Sequence, residues 1–347
     1  MKDINVEVTD TGVGIITLTR EKALNSLSSE MIQGIDDTLR RWETDQAVRI
    51  ILVEGSGAKA FCAGGDIKEL YQNGSSLEGR KKSTAFLNRE YDMDSYLSTY
   101  PKPIVALMDG IVMGGGVGLS YGANYRIVTE NTKWAMPETA ISFFPDIGAG
   151  YFLNQAPDNT GLYLGLTGKV IRAEDVLYIN AADYYMTSDS LSKLRDALLR
   201  ANWLMESNVD RLLKKHIQDA SETPIKSELE SLAPEIKKHF LHQSFPEIVE
   251  SLQSNSTEWA KGLINLFSER SPVSLLVTFA HLKQSKKLSS FSEALERDKQ
   301  VAAKFMECED FYEGVRCLLV DRGSKPAFIF QSLNEVPAEY VSSFLKD

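Results

Sequence analysis

Two glycine-rich segments constrain this chain more than any other feature. The first, Phe61-Cys62-Ala63-Gly64-Gly65-Asp66-Ile67-Lys68-Glu69-Leu70, runs from a strand and turn into a helix with an acidic residue near its start. The second, Asp109-Gly110-Ile111-Val112-Met113-Gly114-Gly115-Gly116-Val117-Gly118-Leu119-Ser120, sets three consecutive glycines ahead of an apolar run. Glycines at a helix start leave backbone N–H groups open to a bound oxygen, with no side chain in the way. Two such turns facing each other would form an oxyanion hole, suited to a thioester whose carbonyl gains charge in an enolate or tetrahedral intermediate. Losing one donor of that kind costs on the order of 3–4 kcal/mol. Either segment alone serves equally well as a tight packing turn. Neither fits GxGxxG, because position 121 is Tyr, and neither carries the GKS or GKT of a P-loop.

The first half around these turns alternates strands and helices. Val13 to Leu18 and Val48 to Val53 are short β-branched runs, while Met31, Ile35, Leu39 and Trp42 recur at helical spacing between Glu30 and Trp42. That alternation predicts an α/β architecture. From about Ser188 onward glycine thins out and amphipathic helices take over, as in Trp259, Leu263, Leu266 and Phe267. Ser271-Pro272 then supplies an N-cap followed by proline at the first helical position. At 347 residues the chain exceeds one ordinary core. The expectation is a core over residues 1–200 and a helical C-terminal region over 201–347, with no repeats and no low-complexity tract.

Several function classes are excluded. A net charge of −10 argues against a general nucleic-acid binder, which needs clustered Lys and Arg, but permits a local basic pocket for a phosphorylated group. The apolar stretches Pro103 to Met108 and Ile111 to Met113 are broken by Asp109 and Gly110, so no membrane span is expected. Met1-Lys2-Asp3-Ile4-Asn5 enters strand-like sequence directly, which predicts a cytoplasmic protein. The cysteines Cys62, Cys308 and Cys317 form no CxxC, so neither disulfides nor a zinc site are expected, and Cys62 reads as a small buried apolar residue. His216, His239, His242 and His281 all lie in the helical half, with solvated helix positions expected for at least three of them. A histidine-based triad and a metal centre are therefore not expected, and no GxSxG elbow is present.

Taken together with Trp134-Ala135-Met136-Pro137-Glu138 and Pro145-Asp146-Ile147-Gly148-Ala149-Gly150, the glycine segments resemble the crotonase superfamily. The resemblance begins at Arg20-Glu21-Lys22-Ala23-Leu24-Asn25-Ser26-Leu27, similar to that superfamily's early coenzyme A loop, and spans roughly the first 190 residues. It implies a spiral of β-β-α repeats with oxyanion-hole N–H groups from Gly65 and Gly115. It also implies coenzyme A contacts from Lys22, Leu24, Ala63 and Ile67. Asp66 reads first as a cap on its helix, while its neighbours Ala63 and Ile67 would line the adenine pocket. Coenzyme A is part of the substrate, so no separate cofactor is implied, and the resemblance allows a homo-oligomer.

Within the superfamily, enoyl-CoA hydratases carry two glutamates that add water across a double bond. The first of those positions is Gly118 here, and only the second is acidic, as Glu138. Met136 to Ile141, Phe144-Pro145-Asp146 and the distant Asp310-Phe311-Tyr312-Glu313-Gly314-Val315-Arg316 resemble the 3-hydroxyisobutyryl-CoA hydrolases, with Ser142 and Ala149 standing where those more often have glycine. That resemblance implies hydrolysis of a 3-hydroxyacyl thioester in valine breakdown. Glu138 would attack the carbonyl or activate water, Asp146 would bind the 3-hydroxyl, and Glu90 would line the acyl pocket. Three rival readings stand beside it: a hydratase or isomerase with Glu138 as sole base, a non-catalytic acyl-CoA-binding or RNA-associated protein, and a generic acyl-CoA thioesterase.

Overall fold

The structure, a computed structural model, describes residues 2–224 and 226–346. The chain divides into two units of discontinuous segments. The first comprises Met1–Gly65, Asp92–Trp134 and Ile171–Glu228, the second Asp66–Tyr91, Ala135–Val170 and Leu229–Asp347.

The strands are β1 (Ile4–Val8), β2 (Val13–Leu18), β3 (Ile50–Gly55), β4 (Ala60–Cys62), β5 (Ile104–Met108), β6 (Ile111–Met113), β7 (Tyr125–Val128), β8 (Lys133–Ala135) and β9 (Tyr184–Tyr185). The larger sheet of the first unit runs β1-β2-β3-β5-β7-β9. After the antiparallel β1–β2 pair every pairing in it is parallel, with Val13 opposite Ile50, Ile51 opposite Ile104 and Val105 opposite Tyr125. Parallel strands are covered on both faces, and β5 is accordingly buried at every residue. On one face Val13, Ile15, Ile50, Leu52, Val105, Leu107 and Ile127 share a core with Leu191, Leu194, Leu198, Trp203, Leu213 and Ile217. Each fully buried Leu or Ile of this kind contributes about 1.5–3 kcal/mol. On the other face Trp42, from the helix Ser29–Glu43, lies directly over Gly14, where a Cβ would come within 2.7 Å of the indole.

The strands expected at Val13 to Leu18 and Val48 to Val53 and the helix expected from Glu30 to Trp42 all form, within two residues of their expected ends. Helical sequence begins before the unit boundary at Glu228, because Ser188–Arg200 and Val209–Ala220 supply the side chains that cover the sheet.

In the second unit, Glu258–Ser268 buries Leu263 and Phe267, as the periodicity predicts. Pro272–Ser285 is capped by Ser271, whose Oγ accepts from the Ser274 N–H at 3.2 Å and donates to Asp310 at 2.6 Å. Phe143, Phe144, Phe305, Phe311 and Phe344 form an aromatic cluster at centroid spacings of 4.8–5.5 Å. Cys62 is fully buried, as expected. The histidines correct the sequence reading. His239 and His281 are 2% and 0% exposed, while His216 and His242 are half-buried. His239 lies on the buried face of Glu228–Phe240, 2.8 Å from Ser251 Oγ and 3.1 Å from Glu235. Among the described residues no helix is long and apolar enough to cross a membrane.

Candidate active site

In the first unit the two glycine turns sit together because β4 and β6 pair in parallel in the smaller sheet, β4-β6-β8. Gly64, at φ +105°, holds its Cα where a Cβ would lie 3.2 Å from the Met113 carbonyl and 3.4 Å from the Gly115 nitrogen. Gly115 opens the short helix Gly115–Tyr121, and at Gly116 a Cβ would come within 2.3 Å of the Cys62 carbonyl oxygen. The second turn thus lies directly on the strand that leads into the first. Gly65 bridges in parallel to Leu27, whose N–H donates to Gly64 at 2.8 Å, and the Ala63 N–H donates to the Leu24 carbonyl at 3.0 Å. Asn25, 1% exposed, donates from its side-chain amide to the Ser56 and Ala60 carbonyls at 3.0 and 2.8 Å. These bonds staple the early loop onto the first glycine turn, bringing Leu24, Ala63 and Gly65 together, with Lys22 exposed on the loop. Gly118 is buried within the short helix, which carries no acidic residue.

Asp66 and Ile67 open the second unit. The Asp66 carboxylate accepts from the Lys68 and Glu69 N–H groups at 3.2 and 3.3 Å, the cap expected of it, and Ile67 begins the helix Ile67–Asn73 half-buried.

The acidic residues of that unit are buried. Glu138 begins the 3₁₀ turn Glu138–Ile141 at 7% exposure, and Asp146 and Glu90 are 5% and 1% exposed. Ser142 closes that turn in the left-handed region at φ 58°, where glycine is most comfortable, which accounts physically for the glycine more usual in the resembling hydrolases. Gly314, in the distant segment that carries the same resemblance, packs against this turn. A Cβ there would lie 2.4 Å from Ser142 Oγ and 2.7 Å from the Ile141 carbonyl carbon. Asp146 accepts a 2.6 Å hydrogen bond from the Tyr91 hydroxyl. Behind Asp146 the Gly148 N–H donates to Asp298 at 2.7 Å, and His281 Nε2 lies 3.0 Å from the other Asp298 oxygen.

This burial governs the charges. Loss of water, and then the charge of Asp146, push the Glu90 carboxyl up to about 8. Glu138 is raised well above the ordinary carboxylate range by burial first, then by Asp146, with a smaller push from Glu90. Burial likewise lifts Asp146 to about 7, against the Tyr91 hydrogen bond, which lowers it. Three carboxyls that sequence reasoning singled out separately therefore form one electrostatically coupled cluster. Such a cluster keeps a proton near neutral pH and can present a carboxylate as nucleophile or base. Glu90 is a buried member of it and not an exposed helix carboxylate. Sequence reasoning missed Tyr91, Asp298 and His281. A signal for Asp298 existed, since it falls on the buried stripe Leu295, Val301, Ala302 and Phe305 of its helix.

The model of the enoyl-CoA hydratase/isomerase family matches residues 13–345. The mitochondrial 3-hydroxyisobutyryl-CoA hydrolase of Xenopus tropicalis is 37% identical over 346 residues, covering 99% of this chain and 89% of that protein. A small ribosomal subunit protein of Neurospora crassa is 38% identical over 344 residues, covering 93% of this chain and 67% of its own length. A crystal structure of a carnitinyl-CoA dehydratase from Mycobacterium thermoresistibile superposes with a TM-score of 0.91 at 32% identity, covering 100% of this chain and 97% of that one. A family match across almost the whole chain, together with the paired glycine turns and the buried carboxyls, places this protein in the enoyl-CoA hydratase/isomerase family, the crotonase superfamily.

Proposed function

We propose that this protein hydrolyses 3-hydroxyacyl-CoA thioesters, foremost 3-hydroxyisobutyryl-CoA, releasing coenzyme A and the free hydroxy acid as in valine breakdown. The observation that carries the reading is the pairing of buried Glu138 with buried Asp146 while position 118, the other hydratase carboxylate, is glycine. Concerted hydration of a double bond needs an acid and a base placed for the two carbons, and half of that pair is missing. Thioester hydrolysis needs one carboxylate. Its oxygen attacks the carbonyl carbon, the C–S bond breaks, and the thiolate leaves and takes a proton. Water then opens the resulting anhydride, or Glu138 instead deprotonates the attacking water. The Gly65 and Gly115 N–H groups are assigned as donors to the carbonyl oxygen as it gains charge. Asp146, held by Tyr91, is assigned to the substrate 3-hydroxyl. An acyl chain without that hydroxyl forfeits a hydrogen bond to this buried carboxyl, which disfavours it. Leu24, Ala63, Asp66 and Ile67 are assigned to the coenzyme A moiety and Lys22 to a phosphate, with Glu90 beside the acyl group. The substrate itself carries the coenzyme A, so no separate cofactor enters the reading.

The ribosomal name of the Neurospora relative favours one second reading, a role in an assembly, against which the net charge of −10 weighs as far as RNA contact is concerned. The deciding experiment measures free-thiol release from 3-hydroxyisobutyryl-CoA and hydration of crotonyl-CoA by the native chain and Glu138→Gln. Release confined to the hydroxylated thioester and lost in the variant supports the hydrolase. Hydration without thiol release replaces it with a hydratase, and silence on both substrates favours the assembly role.

A further inference from the structure

Asp146 is followed by two residues in the left-handed region, Ile147 at φ 57° and Gly148 at φ 74°. Glycine takes that conformation readily, but for a β-branched residue it is strained, and strain of this kind persists only where the surroundings over-determine the backbone. Ile147 is 1% exposed, so its surroundings are protein. What holds the turn is a convergence of two helices. Phe291, at the start of Phe291–Phe305, leaves no room for a side chain at position 148, where a Cβ would lie 2.2 Å from the ring. Two turns further along, the same helix places Asp298, fully buried, with one oxygen accepting the Gly148 N–H at 2.7 Å. The other oxygen lies 3.0 Å from Nε2 of His281, also fully buried, on Pro272–Ser285. His281 and Ser285 also close on Gly150, where a Cβ would lie 3.2 Å from Nε2 and 2.6 Å from Oγ.

A buried acid–base pair is weak evidence of stability, because desolvating two polar groups offsets their mutual attraction and an apolar pair of similar size often does as well. What an apolar pair cannot do is accept the Gly148 N–H. That N–H lies two residues from the Asp146 carboxyl, and on its other side the carboxyl is held by Tyr91.

We propose that Asp298, braced by His281, is a positioning residue for Asp146, clamping the strained Ile147–Gly148 turn through the Gly148 N–H so that the Asp146 carboxyl keeps one orientation. The inference rests on the role proposed for Asp146. It assigns Asp298 and His281 no contact with substrate.

The test compares Asp298→Ala, Asp298→Asn and Asp146→Asn in the full chain by two readouts. The first is hydrogen–deuterium exchange of residues 144–152, which needs no activity. The second is the ratio of thiol release from 3-hydroxyisobutyryl-CoA to that from isobutyryl-CoA. Asp298→Ala is expected to speed exchange in that segment at least tenfold and to reduce discrimination roughly 10- to 100-fold, the scale of a misplacement near 1 Å. Asp298→Asn keeps an acceptor for the Gly148 N–H and is expected to restore most of both. Unchanged exchange in Asp298→Ala overturns the proposal. So does a parallel loss on both substrates, which marks a general folding defect. If the native chain shows no preference for the hydroxylated thioester, or Asp146→Asn leaves that preference intact, the proposed function fails instead, and exchange alone decides the clamp.

Discussion

Replacing Glu90 by Gln tests the electrostatics of the carboxyl cluster without relying on turnover. Glu90 is 1% exposed, and burial, then the Asp146 charge, raise its carboxyl from an ordinary 4.5 to about 8. Because the folded value lies above the unfolded one, the group favours folding while protonated. That contribution is complete below the unfolded value and is lost as pH rises toward the folded one. Glutamine mimics the protonated carboxyl and does not titrate. At about 1.4 kcal/mol per pH unit, a rise from 4.5 to about 8 corresponds to a ceiling of about 5 kcal/mol. Between pH 4 and pH 7 the stability of Glu90→Gln relative to the native chain is expected to grow by about 3 kcal/mol. The assay is urea denaturation followed by tryptophan fluorescence at pH 4, 7 and 8.5. A stability difference that stays flat across that range would refute the argument, since it would mean that Glu90 ionises as freely in the folded protein as in water.

Thiol release should rise with pH above the ordinary carboxylate range, because Glu138 must be ionised to act and burial, then Asp146, hold it protonated; since Glu90 keeps its own proton up to about 8, Glu90→Gln should leave the part of the acid limb below that pH unmoved. Tyr91→Phe removes the hydrogen bond that lowers Asp146, so the Asp146 carboxyl should hold its proton to higher pH, and loss of a bond to a charged group, worth about 1.5–3 kcal/mol, should lower kcat/KM at pH 7 by roughly 10- to 100-fold. Gly116→Ala drives a methyl against the Cys62 carbonyl and should destabilise the first unit by about 1–3 kcal/mol, read as a lower Tm. Gly148→Ala meets both an unfavourable φ and the Phe291 ring, so its Tm should fall at least as far, and an unchanged Tm would show that the turn is not held as tightly as described.

What the sequence determined by itself is what rests on neighbours along the chain. The β-branched run Val13 to Leu18 is a strand because alternate side chains on both faces are apolar, Asp66 and Ser271 cap their helices because a short polar side chain reaches an N–H two or three residues on, and the glycine turns follow from backbone freedom. The motifs around Glu138 and Asp146 were equally legible, since their spacing is local. Which carboxyl meets which partner was not. Tyr91 and Asp146 are separated by 55 positions, and the Gly148–Asp298 bond spans 150. His239 and His281 look like ordinary polar helix residues until their helices turn those faces inward. Helical periodicity says that one face of a helix will be buried but not against what, and the proton affinity of a carboxyl depends on the water it loses and the charges it gains there. Those two quantities exist only once the tertiary structure has closed.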